Sequence, residues 1–240
     1  MKHTAVQAIK ELKKYASPKK ARDSQRFFKT GKGEYGEGDI FWGVTMPEVR
    51  TVVKKYAKLS LGEIRQLIRS RVHEQRMAGL LLLVLRYKEA PEHTYEEYVK
   101  NIRYVNNWDL VDVTCEHIVG VWCLSQKDTR PLLRFARSRN LWERRISIIS
   151  TFAFLKSGDD KPTYAIADIL LFDEEDLMHK AVGWMLREAG KRVDESRLRK
   201  YLDRHARTMP RTTLRYAIER LPKTVQKAYL RGDIRGTLKK

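Results

Sequence analysis

Apolar residues recur at three-to-four spacing along almost the whole chain, as in Val6, Ile9 and Leu12 and again in Leu61, Ile64, Leu67 and Ile68, while strand-like alternation is scarce. A stripe of that period is the buried face of an amphipathic helix, so the expected fold class is all-α. Short breaks punctuate the stripes at Ser17-Pro18, Ala90-Pro91, Ser157-Gly158-Asp159-Asp160, Thr208-Met209-Pro210 and Leu221-Pro222. Proline there removes a helical donor and glycine frees the backbone.

One segment repeats in detail: Val72-His73-Glu74-Gln75-Arg76-Met77 matches Leu141-Trp142-Glu143-Arg144-Arg145-Ile146, and both run into apolar helices. Weaker echoes begin at Asn107-Trp108, Leu177-Met178-His179-Lys180 and Met209-Pro210-Arg211. The spacing, roughly 35 residues, suits stacked helix pairs. The architecture expected is a helical-repeat solenoid, an α-α superhelix whose concave side is an extended binding surface, built as a single domain over residues 1–240. In register, Arg76, Trp108, Arg145, Trp184 and Arg215 fall in or near one row.

Charge narrows the partner. The chain carries 49 Lys+Arg against 30 Asp+Glu, a net +19, which points to a polyanion and to nucleic acid first. An anionic membrane fits less well, because no basic amphipathic segment stands apart from the core helices. The longest apolar run, Leu80 to Leu85, is far short of the roughly 20 residues a spanning helix needs. The first residues, broken by Lys10, Lys13 and Lys14, do not resemble a signal peptide. Cys115 and Cys123 sit eight residues apart in an apolar helical run and read as reduced core thiols. An intracellular, cytoplasmic location follows, with a monomer as the default and no protein partner legible.

The segment Thr30-Gly31-Lys32-Gly33-Glu34-Tyr35-Gly36-Glu37-Gly38-Asp39 breaks the helical pattern. It lacks the spacing of a phosphate-binding loop, and its three acids oppose phosphate, so a flexible turn is expected. Its aromatic flank, Tyr35, Phe41 and Trp42, is a candidate ligand-touching edge.

The six histidines show no H-x-x-x-H, and there is no C-x-x-C and no G-x-S-x-G. Metal and acyl-transfer chemistry are therefore disfavoured, and no cofactor is called for. What remains is Trp108, Asp112, Trp142, Arg145, Trp184 and Arg187. Asn106 reads as a helix N-cap with Asp109 three residues on, which gives Asp109 a structural task at a positive helix end. Asp112 lies one turn further in, on the face of Trp108. There a carboxylate helps the helix less, and a surface acid, a partner for an arginine and a catalytic group all remain open. Trp142 with Arg145, and Trp184 with Arg187, each place a ring and a guanidinium three apart on one helix, a pairing that suits a phosphate beside a stacked sugar or base.

The run Asn107-Trp108-Asp109-Leu110-Val111-Asp112, followed by Asn140-Leu141-Trp142-Glu143-Arg144-Arg145 and by the segment from His179 to Glu188, closely resembles the AlkD family of DNA alkylation repair glycosylases. The early segment Phe41-Trp42-Gly43-Val44-Thr45-Met46-Pro47-Glu48-Val49-Arg50 resembles that family's loop and following helix, and the resemblance spans nearly the whole chain. It implies a solenoid of HEAT-like repeats cupping duplex DNA on a basic concave face, and excision of N3- and N7-alkylated purines. It also implies that Asp112 is the catalytic aspartate, Trp108 and Trp184 the lesion-site tryptophans and Arg145 the phosphate-contacting arginine. In such a family the lesion is not drawn into a pocket, unlike in the usual base-flipping glycosylase. Phe27 stands where the family often has tyrosine, and Thr45 and Met46 replace a more polar pair.

The physical logic is consistent with that implication. Alkylation leaves the purine cationic and its glycosidic bond weakened, so an ionised carboxylate beside the sugar stabilises the developing oxocarbenium charge and orients water. Arg50, Arg76 and Arg187 are candidates for backbone contacts that hold register without reading sequence, and Phe27 and Trp142 are further candidate DNA-binding residues. Beside an RNA-binding helical-repeat module, the main competing reading is a non-catalytic helical-repeat protein that binds damaged or branched DNA. A scaffold of that kind needs neither Trp108 nor Asp112.

Overall fold

The computed structural model describes residues 3–233. These described residues form helices joined mostly by short turns, with one long connection over residues 28–45 and no strand; one isolated parallel bridge joins Ile40 to Val72. The chain divides into two compact units, Met1–Ile118 and Val119–Lys240.

The first unit contains α1 (Ala5–Lys13), α2 (Pro18–Phe27), α3 (Met46–Lys55), α4 (Leu61–Ile68), α5 (His73–Arg86), α6 (Pro91–Lys100) and α7 (Trp108–Asp112). Its core holds Leu12, Ile64, Leu67 and Ile68 of the expected stripes together with Val49, Val52, Leu80 and Leu83, but the first helix turns Ala5 and Ala8 inward with Leu12 and leaves Val6, expected on the apolar face, 55% exposed. Helix starts follow the local chemistry. Thr4 and Gln7 bond reciprocally at the start of α1, Ser60 caps α4, and Thr45 with Glu48 forms the same reciprocal box on α3, each satisfying amides the helix itself leaves open.

The second unit contains α8 (Val121–Ser125), α9 (Arg130–Ala136), α10 (Leu141–Ser150), α11 (Phe152–Lys156), α12 (Lys161–Leu170), α13 (Asp176–Arg192), α14 (Glu195–His205), α15 (Arg211–Ala217) and α16 (Lys223–Arg231). Helix α13 packs on α10, α12, α14 and α15. Its approach to α15 is close at Gly183, where a Cβ would lie 2.5 Å from the Thr213 carbonyl oxygen and 2.6 Å from Tyr216 Cβ.

Side-chain bonds between successive helix pairs recur at a separation of 32 residues: Arg65 to Glu97 and Arg69 to Asn101 in the first unit, Arg145 to the Leu177 carbonyl and Arg187 to Glu219 in the second. This register is slightly tighter than the spacing expected from sequence, and it fits a helical repeat. Cys115 and Cys123 are free and buried, and burial pushes the Cys123 thiol up to about 12, so it stays a protonated core side chain. No helix among the described residues is long and apolar enough to cross a membrane.

Candidate functional site

Two of the expected residues share α7, a helix of five residues that opens on Trp108 and closes on Asp112. So short a helix has no stability of its own and must be held from outside. Its cap corrects the sequence reading. Asn107, not Asn106, is the N-cap and accepts the Trp108 amide at 2.8 Å, whereas Asn106 turns away and donates from Nδ2 to Asp39 Oδ1 at 2.9 Å. Asp109 does take a place in the first turn, accepting the Leu110 amide. Its other oxygen, Oδ2, lies 2.8 Å from His73 Nε2.

Aromatic rings build a platform around Trp108. Phe28, which terminates α2, stacks on Trp108 with ring centroids 5.2 Å apart and planes 23° from parallel, and on Phe41 at 5.0 Å and 14°. Phe41 in turn stacks on the His73 ring at 4.5 Å. Phe27 adds an edge contact to Trp108 at 5.9 Å and is itself 65% exposed. The Trp108 indole donates from Nε1 to the Tyr35 hydroxyl at 3.3 Å. Tyr35 thus supports the tryptophan, and Phe41, expected at a ligand-touching edge, is instead buried beneath the platform.

The glycine-rich segment is a run of turns, as expected, closed by its own hydrogen bonds. Glu34 and Glu37 spend their carboxylates on the Gly31 and Gly33 amides, and Gly36 donates its amide to the Lys29 carbonyl. Beyond it, the consecutive amides of Trp42, Gly43 and Val44 converge on the buried Glu74 carboxylate at 2.7–3.2 Å. Gly43 has φ 74°, and a Cβ there would lie 2.4 Å from both the Ser17 carbonyl oxygen and the Ala21 amide nitrogen, so only glycine lets α2 approach this strap.

Beneath the platform lies a buried charge cluster that sequence reasoning missed. Between its contacts to Asp109 and Asp39, the His73 ring meets a carboxylate at each nitrogen, with Nδ1 3.4 Å from Asp39 Oδ2. Arg76 places NH2 2.7 Å from Asp39 Oδ1 and donates from NH1 to the Ser70 carbonyl at 2.9 Å. Burial disfavours the proton on His73, but bonds to Asp109 and Asp39 outweigh it and hold the ring's pKa above its ordinary 6.5. Burial likewise raises Asp39, yet His73, Arg76 and Asn106 together hold its carboxyl below the usual range. The only sequence signal was His73 itself, placed in the detailed repeat where the other copy has Trp142; its partners lie 34 and 36 residues away.

Other expected residues fall out differently. Arg76, a candidate backbone contact, is 3% exposed and committed to Asp39 and Ser70, so it has no surface to offer a phosphate. Arg50 is exposed on α3. Asp112 is half-buried, and after burial and Cys115 it is among the groups that push the Tyr98 phenol well up. In the second unit Arg145 is 5% exposed, donating from NH1 to the Leu177 carbonyl at 2.6 Å. Arg187, also expected to meet DNA, is held by two carboxylates, Glu188 and Glu219, so a phosphate must displace them. Trp142 and Trp184 are half-buried. Trp184 lies 6.4 Å from Phe152, whose ring carries Lys156 at 4.9 Å and Arg192 at 4.7 Å.

A cleft of about 200 Å³ opens beside the platform, lined by Phe28, Phe41, Met46, Met77, His73 and Asp109 among others. The arrangement thus offers an exposed ring, a supported tryptophan and a carboxylate one helical turn on, set in a strongly basic chain.

The family model described as DNA alkylation repair enzyme matches residues 8–221. Among solved structures, a predicted DNA alkylation repair enzyme from Enterococcus faecalis matches with a TM-score of 0.70 at 16% sequence identity, over 87% of this chain and 97% of that one; at this identity the likeness is one of fold. No curated protein matches.

Proposed function

Because the chain belongs to the DNA alkylation repair enzyme family, we propose that it is a monofunctional glycosylase that hydrolyses the N-glycosidic bond of cationic N3- and N7-alkylated purines in duplex DNA. The observation that carries the reading is α7, where a ring supported on Phe28 and Tyr35 and the Asp112 carboxylate stand one turn apart. The helix pairs are read as HEAT-like repeats.

In this reading the leaving base is already cationic, so the slow step is formation of positive charge on the deoxyribose. Asp112, ionised, stabilises that charge and orients the attacking water; bond cleavage leaves a neutral base and a sugar that water converts to an abasic site. Trp108 presents a negative ring face to the cationic lesion or sugar edge, worth about 0.5–2 kcal/mol depending on desolvation. The exposed Phe27 offers a further apolar contact to bases. Arg50 contributes a phosphate contact; on the second unit Trp184 is assigned to DNA from the family resemblance alone and Trp142 from its spacing to Arg145, whose guanidinium is as buried as that of Arg76 and must leave the Leu177 carbonyl to meet a phosphate. A cytoplasmic monomer acting without cofactor completes the proposal.

The test is release of free base from a duplex carrying one N7-methylguanine, comparing the wild type with Asp112→Asn. Asp112→Asn removes the charge and keeps the shape, so duplex binding is retained while base release and the abasic site are lost. Base release by Asp112→Asn equal to wild type removes Asp112 from the mechanism. No release by the wild type from this duplex or from one carrying N3-methyladenine, with tight binding retained, favours the non-catalytic DNA-binding reading.

A further inference from the structure

Helix α7 is too short to hold its own position, and two of the polar contacts that hold it, through Asp109 and through Asn106, lead to one side chain. His73 stands at the first position of α5; its backbone amide donates to the Ile40 carbonyl at 2.8 Å, and Ile40 donates to the Arg71 carbonyl, which closes the isolated bridge to Val72. Its ring reaches Asp109 in α7 through Nε2 and Asp39 at the end of the glycine-rich segment through Nδ1. Asp39 in turn receives Asn106, two residues before Trp108, and the same glycine-rich segment supplies Tyr35 to the Trp108 indole.

From this convergence we propose that His73 is a positioning residue, which ties the glycine-rich segment to α7 and so sets where Trp108 and Asp112 stand. The consequence for base release rests on the excision reading above; the consequence for Trp108 does not.

The donors and acceptors present make the clamp a property of the imidazolium. Both ring nitrogens face carboxylates, which only accept, so both must carry protons for the two bonds to form together. The charged groups facing the ring are Asp109 from α7, Asp39 from the glycine-rich segment and Arg76 from its own helix, with Phe28 and Phe41 covering the rest. Glu74, the next residue, lines the same cleft but is occupied by the Trp42, Gly43 and Val44 amides. Protonated, the cluster sets two carboxylates against two cations. A neutral ring has one N–H, holds one carboxylate only, and leaves a net negative charge buried under Trp108, where an unpaired charge is costly. Loss of the proton therefore loosens α7.

The experiment follows two signals in the full chain against pH. One is the indole N–H resonance of Trp108, assigned by its disappearance in Trp108→Phe; the other is single-turnover base release from the N7-methylguanine duplex. In the wild type the indole signal moves with the midpoint of the His73 ring itself, and base release falls at that midpoint, by about tenfold or more given the sensitivity of catalysis to misplacement. In His73→Gln the pH step in both signals disappears, release is slow throughout, and the Kd for undamaged duplex is unchanged. Asp39→Asn keeps the shape of the cluster and guards against a glutamine variant that does not fold; there the midpoint moves down, toward ordinary histidine. An indole signal that ignores the His73 titration, or wild-type release by His73→Gln, overturns the proposal. An indole signal that follows His73 in a protein that releases no base upholds the clamp and overturns the excision reading.

Discussion

Trp108 and Tyr35 meet across 73 residues of sequence, the indole Nε1 donating to the phenol oxygen at 3.3 Å while the ring face rests on Phe28. The tryptophan is therefore held at edge and face, by a residue of the glycine-rich segment and by the residue that caps the C-terminus of α2. Tyr35→Phe keeps the ring and removes the acceptor. It should cost about 0.5–1.5 kcal/mol of stability, the net worth of one such bond, and it should slow base release more than it weakens duplex binding. Thermal melts and single-turnover rates separate the two effects. A variant identical to wild type in both would show that the edge contact does not hold Trp108.

Arg50 and Arg76 should respond in opposite ways to truncation. Arg50 is exposed, so Arg50→Ala should leave the melting temperature almost unchanged and make duplex affinity less steeply dependent on salt, by about one unit of slope for a single phosphate no longer neutralised. Arg76→Ala leaves Asp39 buried without its guanidinium, and removing one partner of a buried pair costs about 3–5 kcal/mol. Denaturant melts and salt titrations of the two variants check the contrast, and a strongly destabilised Arg50→Ala would contradict its surface role.

The sign of the pH dependence follows from His73. Its pKa is raised on folding above the ordinary 6.5, so the folded state binds the proton more tightly than the unfolded chain. The stability this supplies is fully present below that ordinary value and is lost as pH rises through the folded-state value. Asp39, held below its ordinary 3.8, contributes stability present above that value and lost as pH falls through its folded-state one. Denaturation of His73→Gln against wild type across pH should show the difference between them shrinking on the alkaline side. A difference that stays constant would mean His73 does not carry the proton.

At Gly183 the prediction concerns packing alone. A Cβ there would enter the Thr213 carbonyl at 2.5 Å, and Gly183→Ala must push α13 from α15 or bend one of them. Overpacking of this kind costs about 1–3 kcal/mol, outweighing the helix propensity gained by replacing glycine. An unchanged or raised melting temperature would show that the interface yields freely.

The helical class was legible because apolar period is a local property, and the repeat was legible because Val72-His73-Glu74-Gln75-Arg76-Met77 and Leu141-Trp142-Glu143-Arg144-Arg145-Ile146 both open helices. Even the likeness of Arg76 to Arg145 survives, since both are buried and each donates to a backbone carbonyl. What stayed hidden is what long-range pairing decides. An arginine at a helix start reads as a surface cation until an acid such as Asp39, far upstream in the chain, folds against it. The choice between Asn106 and Asn107 as cap depended on the same acid, which takes Asn106 for itself. Phe28 gave no signal next to the more conspicuous Phe27, because its importance lies in what Trp108, Phe41 and His73 do around it.

Helix α2 buries no residue of its own. It is moored by the Ser17 amide on the Trp42 carbonyl, by the glycine at 43, and by the Phe28 ring beyond its last turn. A segment with so little apolar contact belongs to the least protected class in local opening, so its amides should exchange with solvent well before those of α5. Such an excursion would carry Phe27 and Phe28 off the Trp108 face without unfolding the core, giving that face two exposures separated by one small, reversible detachment.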